Sequence, residues 1–431
     1  MGNIRKFIFN GVLVFVSVAV TLFFLEAFLR ATKYKQLLSV SSSNGERERF
    51  FVSAVPYYFQ NDPAAGYDIV ENSSPSYHSI YATESRVFRY KIWANELGCF
   101  DNPYLGEKNY ILLAGDSFCW GFSPFEDKWG SVIERESGRR VLKCGVAGYG
   151  TKQELLKIDK VVSRVKNKPA VIILGYFYDL HDDYIFPRYA VTNGYLVPKV
   201  ILKDANTGEK VVRSEQQLRE YADKAIKDYY GRASHSGGIF AKLNDGIAEN
   251  SIIYNLGARA VKKIGRKTGI IPTSSIAPAP GRESGWLAAA WGEHLDNIKK
   301  IKALSKRYNC RLLVVLIPPR EQVYGFQTPR RNDEWEYSDK KLKSFLKKEN
   351  IEYYDLAPEF RKYANQNARQ ALDPDKDLYW AYDGHWNING NRLAGLLVSN
   401  YLLEKNIISA QGAVAQRQNL LRKKLQEFHA D

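Results

Sequence analysis

Two short stretches, far apart in the chain, carry side chains whose types suit acyl chemistry. The first is Ala114-Gly115-Asp116-Ser117-Phe118-Cys119-Trp120-Gly121, where a hydroxyl follows a glycine directly after an apolar run. Glycine permits a sharp turn, and a helix start there would offer backbone N–H groups to a developing oxyanion. A serine hydroxyl is a weak nucleophile until a base takes its proton. The second stretch, Asp383-Gly384-His385-Trp386, supplies an imidazole with a carboxylate two residues away. The carboxylate can fix the ring tautomer while the imidazole accepts the serine proton. Ser117, His385 and Asp383 are therefore the candidate nucleophile, base and orienting acid. Ser117 alone would more often be a helix cap than a nucleophile; its partnership with His385 reverses that preference.

Other reactive residue types point elsewhere. His181 with Asp182 and Asp183 has the composition of a metal cluster, but adjacent side chains diverge, and a loop of solvated charge is expected. Cys99, Cys119, Cys144 and Cys310 lack the paired spacing of a zinc site. No metal and no cofactor are expected. Cys119 should pack inside the helix start. A disulfide among Cys99, Cys119 and Cys144 suits a location outside the cytoplasm, although spacing does not select a pair.

The elements that must position these residues follow from periodicity. Tyr110–Ala114, Val141–Lys143, Ala170–Leu174, Arg311–Ile317 and Ile351–Asp355 are short apolar runs of the buried-strand type. Between them, residues 152–165 carry Leu155, Ile158, Val161, Val162 and Val165 on one helical face, and Leu295, Ile298, Ile301 and Leu304 mark another helix. A last helix carries Leu393, Leu396, Leu397 and Tyr401. Strands alternating with helices predict an α/β fold with a parallel sheet covered on both faces. In such sheets functional groups gather beyond the carboxyl ends of the strands. Residues 189–285 break the rhythm and read as an insertion, with a polar hairpin around Asp204–Gly208. Residues 409–431 form a basic amphipathic helix, expected to be a solvated terminal element.

The chain has 431 residues, 45% hydrophobic and 25% charged, which excludes a mostly disordered protein. Sixty-two Lys and Arg against 47 Asp and Glu give +15, a charge that favours acidic neighbours without naming them. No nucleic-acid motif accompanies it, so nucleic-acid binding is not expected. The segment 7–29 is almost wholly apolar and reaches the ~20 residues a crossing helix needs. It lacks a small-x-small cleavage site, which favours an uncleaved anchor over a signal peptide. The expected layout is a cytoplasmic tail (1–6), the transmembrane anchor (7–29), a stalk and lead-in (30–91), the two parts of the enzymatic domain (92–188 and 286–408) around the insertion, and the terminal helix.

These residues resemble the SGNH/GDSL hydrolase superfamily. Gly115-Asp116-Ser117 is similar to its nucleophile block, and Cys144-Gly-Val-Ala-Gly-Tyr-Gly-Thr151 to its second block, where Gly148 matches the glycine whose N–H helps form the oxyanion hole. Asp383 and His385 resemble its last block, in the Asp-x-His-Trp form of membrane-associated, polysaccharide-modifying members. The third block departs: Gly175-Tyr-Phe-Tyr-Asp-Leu-His-Asp-Asp183 holds no asparagine, and register by the Asp-Leu pair places Tyr178 where the family has its oxyanion-donating amide. The resemblance implies a three-layer α/β/α sandwich and an oxyanion hole of Ser117, Gly148 and Tyr178. It further implies ester hydrolysis on acylated carbohydrate, outside the cytoplasm at a bacterial inner membrane. The alternatives are O-acetyl transfer to a polysaccharide with a multi-spanning acyltransferase partner, and a catalytically silent glycan-binding module.

Overall fold

The computed structural model describes residues 2–30, 55–81, 87–204, 207–234, 251, 253, 285–324, 329–366, 377–380, 384–408 and 414–430. The chain forms two compact units, one of residues 1–47 and 228–273, the other of residues 48–227 and 274–431.

The smaller unit holds helix α1 (Gly2–Arg30). Phe9, Leu13, Val14, Val18, Phe23, Phe24 and Phe28 are exposed along it. Its carboxylate Glu26 accepts hydrogen bonds from Ser251 Oγ at 3.2 Å and from the Ile253 N–H at 3.0 Å. Among the described residues no helix is long and apolar enough to cross a membrane. The longest continuous run of described side chains in α1 is 16–29, and the anchor expected over 7–29 extends beyond it.

The larger unit begins with two antiparallel hairpins, β1 (Phe59–Asp62) with β2 (Gly66–Ile69) and β3 (Ser76–Tyr81) with β4 (Val87–Ile92). The described part of the expected stalk, from residue 55 onward, is thus folded. Its aromatic residues are the reason: Tyr58, Phe59, Tyr67 and Tyr90 are buried with Phe100, Trp120, Phe122 and Tyr149 in one cluster. Rings of this size each bury ~150–250 Å², enough to hold short strands onto a body.

The body follows as β5 (Ile111–Gly115), α2 (Ser117–Trp120), α3 (Trp129–Ser137), β6 (Val141–Lys143), α4 (Thr151–Arg164), β7 (Val171–Tyr176) and α5 (Leu180–Tyr184). Two hairpins, β8 (Tyr189–Thr192) with β9 (Tyr195–Pro198) and β10 (Val200–Asp204) with β11 (Glu209–Val212), lead into α6 (Glu215–Ser234). The chain returns with α7 (Trp286–Arg307), β12 (Arg311–Leu316), α8 (Arg320–Tyr324), α9 (Pro329–Lys348), β13 (Glu352–Asp355), α10 (Ala357–Gln366), α11 (Ile388–Glu404) and α12 (Val414–Ala430).

Five strands pair in the order β13-β12-β7-β5-β6, all parallel. Alternation along them splits the core in two. Ile111, Leu113, Ile173, Leu313 and Val315 face one layer with residues of α3, α10 and α11. Leu112, Ala114, Ile172, Leu174, Val314 and Leu316 face the other with residues of α4, α7 and α9. The expected parallel α/β architecture with helices on both faces is present. The chain leaves β5 towards β6 on one side and returns to β7 on the other, so the sheet reverses direction at the end of β5. Crevices form at such reversals.

Two expectations are corrected. The terminal helix α12 is packed on the body: Leu421 is buried in the first core layer, the Phe428 ring lies 5.3 Å from Tyr363, and Lys424 pairs with Glu136 at 2.8 Å. A single fully buried leucine and ion pairs whose partners lie on other helices leave too weak a periodic signal to separate docking from solvation. His181, Asp182 and Asp183 sit on α5 and are not a solvated loop; Asp183 is buried and Asp182 pairs with Arg188 at 2.5 Å.

Candidate active site

The turn after β5 presents the serine. Gly115 has φ +147°, and a Cβ there would lie 2.4 Å from Cys119 Sγ and 2.5 Å from the Gly175 carbonyl oxygen. Only glycine lets the chain leave the sheet so close to β7. Asp116 then caps α2, its Oδ1 accepting from the Phe118 N–H at 2.9 Å. Ser117 is the first helical residue, where backbone N–H groups have no partner within the helix. Cys119 is buried on the sheet side, as expected, and burial followed by the charges of Asp116, Glu154 and Asp179 pushes its thiol well above the ordinary value. A thiol in that state is inert.

The sheet reversal brings in the late segment. His385 Nε2 lies 2.8 Å from Ser117 Oγ, joining residues 268 positions apart. The imidazole stacks on Phe122 with ring centres 3.9 Å apart and packs against Phe118 at 5.0 Å. Its backbone is fixed by the Trp380 N–H donating to the His385 carbonyl at 2.9 Å and by the Tyr379–Trp386 bridge. Asp383 lies outside the described residues. A second acceptor stands beside the serine: Ser117 Oγ reaches Asp116 Oδ2 at 3.2 Å. Burial is the main cause that raises the Asp116 carboxyl to about 7, opposed by the Phe118 N–H and by His385.

Gly148 lies on the loop that leaves β6. That loop is seated on the nucleophile turn through the Val146 N–H, which donates to the Gly115 carbonyl at 3.0 Å. Gly148 has φ +78°, and a Cβ there would meet the Tyr189 ring and the Tyr67 hydroxyl, each at 2.9 Å. The close fit leaves the loop one course, with Tyr67 Oη donating to the Ala147 carbonyl at 2.7 Å.

Tyr178 is turned to a different task. Its hydroxyl donates to Asp339 Oδ1 at 2.9 Å, so its one O–H proton is committed to α9. Its φ of +46° is the left-handed conformation in which asparagine is enriched and tyrosine is rare. The backbone there suits an asparagine better than a tyrosine, and the side chain is engaged by Asp339. Cys99 and Cys144 form a disulfide that joins the lead-in to the start of the Gly148 loop.

Sequence spacing missed His294. It lies fully buried on α7, its Nδ1 2.6 Å from Asp183 Oδ2 and its Nε2 2.9 Å from Tyr176 Oη. The signal was present, because position 294 shares the helical face of Ala290, Trp291, Ile298 and Ile301, all of them buried.

No family model matches the chain, and no curated protein matches it significantly. Among solved structures it is similar to an acetyl xylan esterase, with 13% identity and a TM-score of 0.35 over 69% of this chain and 98% of that one. A member of the lipolytic protein G-D-S-L family from Veillonella parvula matches at 13% identity and TM-score 0.31, over 66% and 93% of the two chains. A GDSL-like lipase from Bacteroides thetaiotaomicron matches at 11% and 0.28, over 69% and 87%. Likenesses this distant carry no inference of their own, and function rests on the site.

Proposed function

We propose that this chain is a serine-dependent ester hydrolase that removes a small acyl group, acetyl in the first instance, from carbohydrate outside the cytoplasm. The 2.8 Å contact between His385 Nε2 and Ser117 Oγ carries the proposal. A nucleophile within hydrogen-bond reach of its base, at the switch point of a parallel sheet, is the geometry of acyl transfer. In the forward step Ser117 Oγ adds to the ester carbonyl as its proton passes to His385 Nε2. The oxyanion forms beside the N–H groups of Ser117 and Gly148. Collapse breaks the bond to the sugar oxygen, which leaves with the proton from His385. Water then repeats the sequence on the acyl-serine and releases the acid. Asp383, two residues from the base, is assigned to orient it.

Two features support the location. The exposed phenylalanines and valines of α1 suit a lipid surface better than water. The Cys99–Cys144 disulfide suits an oxidising compartment. Membrane attachment also favours a second fate for the same acyl-serine, transfer to a polysaccharide hydroxyl with acetyl supplied by a multi-spanning partner. Incubating the protein with an acetylated chromogenic ester, with and without a sugar acceptor, separates the two. Release of acetate without acceptor supports hydrolysis, and acetylated sugar supports transfer. A folded protein that does neither and binds glycan would be the silent module.

A further inference from the structure

Beneath the Gly148 loop lies a polar chain that the proposed reaction does not use. Thr151 and Lys152 open α4 immediately after the loop, and both are held by Asp183: the Thr151 hydroxyl donates to Oδ2, and the Lys152 N–H donates to Oδ1 at 2.9 Å. Asp183 in turn accepts from His294 Nδ1 at 2.6 Å, and His294 Nε2 meets the Tyr176 hydroxyl at 2.9 Å. Thr151 and His294 have no exposed surface, and Asp183 and Tyr176 are 6% and 4% exposed. With Nδ1–H directed at the carboxylate and Nε2 accepting the tyrosine O–H, both ring nitrogens have partners. The chain thus runs from the end of β7 through α7 and α5 to the first turn of α4. On its other flank the loop is tied to the lead-in by Gln153, which accepts from the Gly150 N–H at 3.3 Å and donates to the Ala65 carbonyl at 2.7 Å.

A buried carboxylate needs donors on its oxygens, and here it has three. Two donors open α4 and the third sits on α7, so the carboxylate, carried by α5, fixes the mutual positions of three helices. Gly150 allows this closeness, since a Cβ on it would stand 2.6 Å from Asp183 Oδ1. We infer that Asp183, oriented by His294 and Tyr176, is the positioning residue that sets the Gly148 N–H against the oxyanion formed at Ser117. The inference rests on the proposed acyl chemistry. Displacing a catalytic donor by ~1 Å costs on the order of 10²-fold in rate.

The test compares Thr151→Val with Thr151→Ser, and His294→Asn with His294→Gln, in the full-length protein. Thr151→Val keeps the shape and removes one donor, whereas serine retains it. Asparagine places an amide near the Nδ1 position and keeps the bond to Asp183; glutamine places it near Nε2 and loses that bond. On an acetyl ester, Thr151→Val and His294→Gln should lower kcat by about 10- to 100-fold with KM unchanged. Thr151→Ser and His294→Asn should restore most of it. Phosphonate labelling of Ser117 should slow in parallel. Folded Thr151→Val with the kcat of the parent overturns the inference, and so does Thr151→Val that fails to fold, which would make the contact purely structural. Labelling that survives Ser117→Ala removes the acyl-enzyme reading itself, a failure visible independently of the Thr151 pair.

Discussion

Ser117 has one hydroxyl proton and two acceptors for it, His385 at 2.8 Å and Asp116 at 3.2 Å. The shorter contact is to the imidazole, which is also placed to hand the proton on to the leaving group, so proton removal runs through His385. Ser117→Ala should abolish labelling by a serine-directed phosphonate while the protein stays folded. His385→Ala should lower kcat by about 10⁴-fold or more. Asp116 makes a separate prediction. Its carboxyl has an ordinary value of 3.8 and is raised to about 7 in the folded protein, chiefly by burial. A raised carboxyl contributes stability that is complete below the unfolded value and is lost as pH climbs through the folded one. Glu154 and Asp179, buried with no donor to their four carboxyl oxygens among the described residues, shift in the same direction. Melting temperature should therefore fall between pH 5 and about 8. Asp116→Asn, which still caps the Phe118 N–H, should flatten that fall, as thermal melts at several pH values would show. A melting temperature that rises over the same range would contradict the burial of these acids.

At the scale of elements, the disulfide and the strand-end glycine decide what the site tolerates. Cys99–Cys144 closes a loop across a separation of 45 residues, worth about 4 kcal/mol by chain entropy. Cys99→Ser should lower the melting temperature by several degrees, measured calorimetrically, with Ser117 labelling retained below the transition. Gly115→Ala brings a methyl group against the Gly175 carbonyl, a backbone atom that cannot swing away, and should leave little folded protein in a solubility assay. The strands were legible from their apolar runs, and β5 lies within one residue of its expected bounds. The nucleophile and base were legible because their neighbours repeat a known spacing. The lead-in was not, since its aromatic rings are scattered among polar residues and show no period. Asp183 and His294 were also hidden, being 111 positions apart and meaningful only as a pair. Tyr178 was placed by register alone, and register says nothing of a neighbour such as Asp339 that arrives from α9.

For the whole molecule, the chain divides into two units of different character. One carries an exposed apolar helix with a carboxylate engaged by Ser251 and Ile253; the other carries the sheet and the site. A periplasmic reporter fused after Asp431 should be active, and the isolated protein should retain residues 7–29 by N-terminal sequencing. An N-terminus beginning beyond Arg30 would turn the anchor into a removed signal. The packing of α12 on the body further predicts that removing residues 414–430 lowers thermal stability, because Leu421 and the Lys424 pair would be lost.

The 268 positions between Ser117 and His385 are also an interval of time. At translation rates of about 5–20 residues per second, roughly 15–50 s pass between the making of one and the making of the other. Throughout that interval a nascent chain carries a serine with no base. By the time the histidine is made, every strand of the sheet has already been synthesised. Acyl chemistry at Ser117 is thereby withheld from the growing chain, through the order of synthesis alone and without an inhibitor.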